Sequence, residues 1–386
     1  MFTLGLIQDS QARFAVAADW FERVDREHPA YDGRSDAVLN AARLREALSE
    51  FDRSIALYNQ YIALEPAAPV TNDIYFVIAE VEERRQAWDA AYDQYQRFLD
   101  AVSADRVRRL VATLRQARIR EQQGRANDAL ALYGQVYTMY GRGELGFDAS
   151  NQPTGWVTIP GGNMPEEERT GVLPFVAEAR YKMAGPAMER AASLPLGDLR
   201  RIRDQIAARF EAMAAAQREL YEVYNLGDAE WAVAATSAIG ETFYDFYKDL
   251  IEMEAPDFDQ CLEATGFNYD VCDSAMETFD EAVFTVGEDL RARAETAWTE
   301  ARTAAVDNNV FNENVLRTIA LLNDLDRAYA LGMTQGFDAT STSDPYLSTT
   351  YTLDLSQKLQ DFEGFVAPPV GATDLPAALP APTTAE

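Results

Sequence analysis

Apolar residues return every three or four positions through most of this chain of 386 residues, the spacing of helices that bury one face. Ile202, Ile206, Phe210, Met213, Leu220 and Tyr224 mark one such face. Trp231, Ala235, Ile239, Phe243, Phe246 and Leu250 mark the next. Asp198 is placed to cap the first of these helices, Gly227 to end it and Asp228 to cap its successor. Further helices are expected over about 174–194, with a kink near Gly185-Pro186, over about 274–307 and over about 312–330.

A longer period governs the first 141 residues. Four segments carry a small residue, a second small residue twelve positions on, and an aromatic four later. They are Gly5, Ala17 and Phe21; Ala42, Ser54 and Tyr58; Ala79, Ala91 and Tyr95; and Ala117, Ala129 and Tyr133. Pro29 and Pro66 close the first two, and Gly124 marks the turn of the fourth. The second small residues lie 37, 37 and 38 apart. Two antiparallel helices approach closely only where side chains are small, and an aromatic on the same face fills the remaining gap. One such hairpin cannot bury its apolar face alone, so the expected architecture is a stacked solenoid.

This spacing resembles the tetratricopeptide repeat, a helix-turn-helix unit with small residues at its eighth and twentieth positions and an aromatic at its twenty-fourth. The run Gln122-Gln123-Gly124-Arg125-Ala126-Asn127-Asp128-Ala129-Leu130-Ala131-Leu132-Tyr133 is the best match. The chain departs from that family in its longer period and in carrying the aromatic of the fourth position only as Tyr75. Met1 falls at that fourth position of the first repeat, so the first repeat is expected to be truncated and the native chain to extend upstream. Tyr221-Glu222-Val223-Tyr224, Glu230 to Ala235 and Ile239-Gly240-Glu241-Thr242-Phe243 resemble a helical module. That module follows such repeats in envelope proteins of myxobacteria-like (delta-proteobacterial) species, some of them associated with gliding motility.

The expected fold class is all-α: a tetratricopeptide-like solenoid over 1–141, a long loop over 142–174, a C-terminal helical module over 175–330, and an irregular segment with a disordered tail over 331–386. Trp156, Val157 and Ile159 form a short strand or pack back on the solenoid. The tail holds five prolines in 366–386.

Composition narrows the chemistry. Lys and Arg number 34 and Asp and Glu 63, a net charge of −29. So acidic a chain repels nucleic acid and anionic membrane unless a local basic patch intervenes. One His and two Cys exclude His/Cys zinc sites and any triad needing a second His. No catalytic residue, metal or cofactor is expected, and His28 reads as structural. No apolar run reaches the length of a membrane span, so direct membrane insertion is not expected.

The resemblance to tetratricopeptide repeats implies a partner-binding groove lined by the first helix of each repeat. Its fifth, ninth and twelfth positions are Leu39, Arg43 and Glu46; Phe76, Glu80 and Glu83; and Leu114, Arg118 and Glu121. Apolar anchors flanked by both charge signs suit a peptide or partner helix. The Lys/Asn/Asn/Lys/Arg set that clamps a C-terminal carboxylate in some relatives is absent from these positions. Seven arginines between Arg106 and Arg125 lack interleaved aromatics and read as a basic helix facing acidic neighbours or a partner. Residues 241–300 hold 17 acidic and 3 basic side chains without calcium-loop spacing, and read as a solvated face.

Cys261 and Cys272 lie in one interhelical loop, which suggests a disulfide in an oxidising compartment, the alternative being two cytosolic thiols. Closing that loop would contribute roughly 3 kcal/mol in the chain-entropy picture. The chain is therefore expected to be a non-enzymatic scaffold for a protein or peptide partner, in the periplasm or cell envelope. The alternatives are a section of a longer array, stacking on upstream repeats or self-associating, and a cytosolic adaptor.

Overall fold

The computed structural model describes residues 1–141, 144–147, 153–157, 164–196, 202–253 and 257–334. Among the described residues the chain is all-α apart from one short hairpin, and it divides into two compact units. The first comprises residues 1–142 and 159–179, the second 143–158 and 180–386.

The first unit contains four helical hairpins: α1 (Phe2–Ser10) with α2 (Phe14–Glu27), α3 (Arg34–Ala47) with α4 (Phe51–Leu64), α5 (Pro69–Arg84) with α6 (Trp88–Ala101), and α7 (Arg106–Gln122) with α8 (Ala126–Tyr140). Small residues sit at the crossings, where Ala42, Ala79, Ala117, Ser54 and Ala91 are 0% exposed. Phe21, Tyr58, Tyr95 and Tyr133 are buried beside them.

Each hairpin turns on one residue in the left-handed region: Ala12, Ser49, Gln86 and Gly124, with φ from +57 to +70. They recur at the repeat period, yet only the last is a glycine. Each is followed by the same backbone bond closing the first helix. Arg13 N–H donates to Gln8 C=O, Glu50 to Arg45, Ala87 to Glu82 and Arg125 to Arg120, at 2.8–2.9 Å. A backbone bond across each turn thus accompanies a conformation that Ala, Ser and Gln resist.

Ion pairs between hairpins fix their register. Arg45 is 2% exposed and donates to Glu22 of α2 at 2.7 Å and to Asp19. Arg34 meets Asp25 at 2.8 Å. Arg85 meets Asp52, and Arg108 meets Asp73.

The segment expected as a loop over 142–174 is more ordered than that. β1 (Glu144–Phe147) pairs antiparallel with β2 (Pro153–Val157), which places Trp156 and Val157 in a strand. Ile159 lies outside the described residues. Helix α9 (Glu166–Ser193) starts earlier than expected and runs unbroken through Gly185-Pro186. The units divide at 142/143, at 158/159 and, inside α9, after Ala179.

The second unit is built on α10 (Ile202–Leu226), α11 (Ala229–Ile251), α13 (Tyr269–Asp307) and α14 (Glu313–Thr334), with the short α12 (Phe258–Thr265) ahead of α13. Asp228 caps α11, accepting from Trp231 N–H at 3.0 Å, after Gly227 at φ +89. Asp198 lies outside the described residues, as do 335–386, where the disordered tail was expected.

Trp298 of α13 is the largest fully buried side chain among the described residues. It lies against Gly240 of α11, where an added Cβ would come within 2.4 Å of the indole nitrogen. That nitrogen donates to the Ser237 carbonyl at 3.0 Å. The anchor of this core is therefore Trp298; Trp231, expected on the buried stripe, is half-buried against Tyr181, 5.3 Å between ring centroids. Truncating a tryptophan so placed costs about 3–5 kcal/mol.

Candidate functional site

The nine residues expected to line a binding groove do lie on successive first helices, α3, α5 and α7, but the fold uses them unequally. Leu39 is 8% exposed and Leu114 is 0%, so neither is free to anchor a ligand. Phe76 is half-buried and packs edge-on to Tyr95 and Phe98, at 5.1 and 5.2 Å. The apolar positions of this face are thus taken up by the interior of the solenoid, Phe76 within its own hairpin.

The charged positions are engaged mainly across repeats. Glu46 accepts from Tyr58 of its own hairpin at 2.7 Å and from Arg84 of the next. Glu121 accepts from Tyr133 at 2.6 Å. Glu83 pairs with Arg115 at 3.2 Å, and Glu80 lies 3.9 Å from the same arginine. Burial pushes the Glu83 carboxyl upward, and the Arg115 charge opposes it. Burial first, then the carboxylate bond, pushes the phenols of Tyr58 and Tyr133 upward, so both remain neutral donors. Glu and Tyr stand twelve residues apart at 46/58, 83/95 and 121/133. That recurrence was available in the sequence, and at 46/58 and 121/133 the phenol and carboxylate are hydrogen-bonded.

Arg118 is held by Glu178 of α9, with Nε donating to Oε1 at 2.6 Å. Arg43 is exposed and makes no ion pair among the described residues. Arg43 and the half-exposed Glu80 are the positions on this face least committed to the fold.

The arginine-rich helix α7 is partnered along its length. Arg108 binds Asp73 and Asp105, and Arg109 donates to the carbonyls of Leu99 and Val102. The Arg120 guanidinium lies 3.6 Å from the Tyr92 ring centroid, and Arg125 pairs with Asp128 at 2.5 Å.

Cys261 and Cys272 are bonded, with Cα atoms 5.8 Å apart, a separation ordinary for a disulfide. They sit on helices rather than in a loop: Cys261 in α12 and Cys272 in the first turn of α13.

A cleft of about 320 Å³ opens in the second unit among α9, α11 and α14. Tyr181, Glu241, Asp245 and Arg317 line it, and Glu241 and Arg317 pair across it at 2.5 Å. Burial pushes the Glu241 carboxyl upward while Arg317 pulls it back. The Ser237 hydroxyl at its edge accepts from Thr318 at 2.8 Å. Residues 76 positions apart build this pair, and nothing in the sequence pattern announces it. Among the described residues no group of three or more His, Cys, Asp or Glu is placed to hold a metal ion. No helix among them is long and apolar enough to cross a membrane.

The fold defines an all-α protein made of a helical-hairpin repeat solenoid and a second helical unit. No family model matches the chain, and no curated protein matches it.

Proposed function

We propose that this chain is a non-enzymatic scaffold of tetratricopeptide type that takes a protein segment, peptide or helix, along the first-helix face of its solenoid. The supporting observation is the in-register stacking of α3, α5 and α7, which aligns Arg43, Glu80 and Arg118 at one repeat position. Repeat arrays present such aligned side chains as binding surface. Because Leu39 and Leu114 are buried, recognition runs through charge, with Arg43 and Glu80 reading an acidic and a basic residue of the partner. Selection of displayed peptides against the intact chain tests this. Peptides with paired acidic and basic positions should be enriched, and Arg43→Glu with Glu80→Lys should abolish their binding without moving the melting temperature. Unchanged binding by that double variant rejects the reading.

The Cys261–Cys272 bridge supports an oxidising compartment such as the bacterial envelope, rather than the cytoplasm. A thiol count on unreduced, denatured protein from its native cell should be zero; two free thiols favour a cytosolic adaptor.

A second reading, a section of a longer array, is favoured by the first hairpin. Leu4 is 42% exposed, whereas its register equivalents Ala41, Ile78 and Gln116 are 0–1% exposed. Ile7 is 43% exposed, against a half-buried Leu44 and 0% and 1% for Val81 and Ile119. The face that each internal hairpin covers with its predecessor is open on α1.

A further inference from the structure

The disulfide closes a tip made of α12, the turn at Gly266-Phe267-Asn268 and the first turn of α13. Gly266 and Phe267 both take left-handed backbone, at φ +70 and +63. Phe267 N–H closes α12 by donating to the Leu262 carbonyl at 2.6 Å. Asn268 caps α13, accepting from Val271 N–H at 3.3 Å.

Leu262 and Cys272 are buried inside the tip. Phe267, Tyr269 and Val271 are not: they stand 66, 59 and 49% exposed. The half-buried Phe258 lies 6.3 Å from Tyr269 between ring centroids. Single exposed apolar side chains are ordinary, but three within five residues concentrate exposed apolar surface on one cross-linked turn.

The charged residues flanking these side chains in sequence have one sign. Asp257, Asp259, Glu263, Asp270 and Asp273 are all exposed. From 249 to 290 the chain carries thirteen Asp and Glu and no Lys, Arg or His. The bases that bound this stretch are occupied, Lys248 by Asp245 at 2.9 Å and Arg291 by Glu288 at 3.1 Å.

We propose that this tip is a docking surface for a cationic protein segment. Apolar side chains of the segment cover Phe267, Tyr269 and Val271, while its Lys and Arg side chains meet the surrounding carboxylates. An anionic bilayer or a nucleic acid would face the same carboxylates with like charge. The bridge holds the three side chains in place before binding, which lowers the ordering cost of the contact. This surface is separate from the first-helix face and does not depend on that reading.

The test uses the full, oxidised chain and a synthetic amphipathic helical peptide of Leu and Lys. A peptide with Gln in place of Lys and vesicles of phosphatidylcholine, with and without phosphatidylserine, serve as comparisons. The Leu/Lys peptide should bind and protect amides of residues 258–273 from hydrogen exchange. Phe267→Asn with Tyr269→Ser keeps every carboxylate and suits the left-handed turn, and should weaken binding by about tenfold or more. Asp270→Asn with Asp273→Asn should weaken it similarly, and reduction of the bridge should weaken it further. Arg43→Glu should leave it unchanged, which separates this surface from the solenoid face. Equal binding by the aromatic variant, protection elsewhere in the chain, or preference for the Gln peptide or the vesicles overturns the proposal.

Discussion

Glu300 shows what one side chain decides. It lies on α13 with the phenols of Tyr221 and Tyr224 within reach of its charge, and burial raises its carboxyl to about 7. A raised folded-state value means the stability it contributes is fully present below about pH 4.3, the unfolded value, and is lost as pH rises through about 7. With the group partly open to solvent, the loss is discounted to about 1–2 kcal/mol. Glu300→Gln should therefore match the parent chain near pH 4 and exceed it by that amount at pH 8, measured by urea unfolding. A difference that does not change between those pH values would show that the carboxyl ionises freely. Buried tyrosines behave in the opposite sense to a switch: Tyr58 and Tyr133 stay protonated and keep their glutamates fixed across the working pH range.

At the scale of the element, the hairpin turns carry the lesson. Gly124 takes φ +70 with nothing near the position of an added Cβ. Gly124→Ala should thus cost about 1 kcal/mol through backbone conformation alone. Gln86 holds φ +59 in the same role. Gln86→Gly should stabilise the chain by less than that, because glycine also loosens the unfolded chain. Both changes read out in the urea midpoint, and opposite signs from those stated would place the strain elsewhere. The cap at Asp228 was legible from residue type and spacing, whereas Asn268 caps a helix that starts at Tyr269, ahead of the expected 274; each accepts from the backbone N–H three residues on. Turns at Ala12, Ser49 and Gln86 were not legible, because no local preference favours them.

For the whole molecule, the open face of α1 makes a quantitative claim. Residue 38 is the register equivalent of Met1, so tandem duplication of residues 1–37 adds one hairpin in phase. Burying Leu4 as Ala41 and Ile78 are buried, and Ile7 as Val81 and Ile119 are, should raise the melting temperature by about 5 °C. An unchanged midpoint would mean that α1 ends the stack. The second unit makes no such repeat, and its core depends on Trp298 meeting Gly240 across 58 residues of sequence.

The sequence by itself determined the period of the solenoid, the hairpins, the small residues at their crossings and the buried aromatic of each repeat. These follow from local spacing, which a helix converts directly into a face. It also placed the two cysteines close enough to bond. Tertiary structure alone decided which of the nine expected groove residues remain available. A spacing argument assigns a side chain to a face, but burial between hairpins took Leu39 and Leu114, and ion pairs took Glu46, Glu83 and Arg118. The Glu241–Arg317 cleft and the exposed aromatic tip were decided there too, because exposure depends on what packs alongside, and that is a property of the fold rather than of any one stretch of chain.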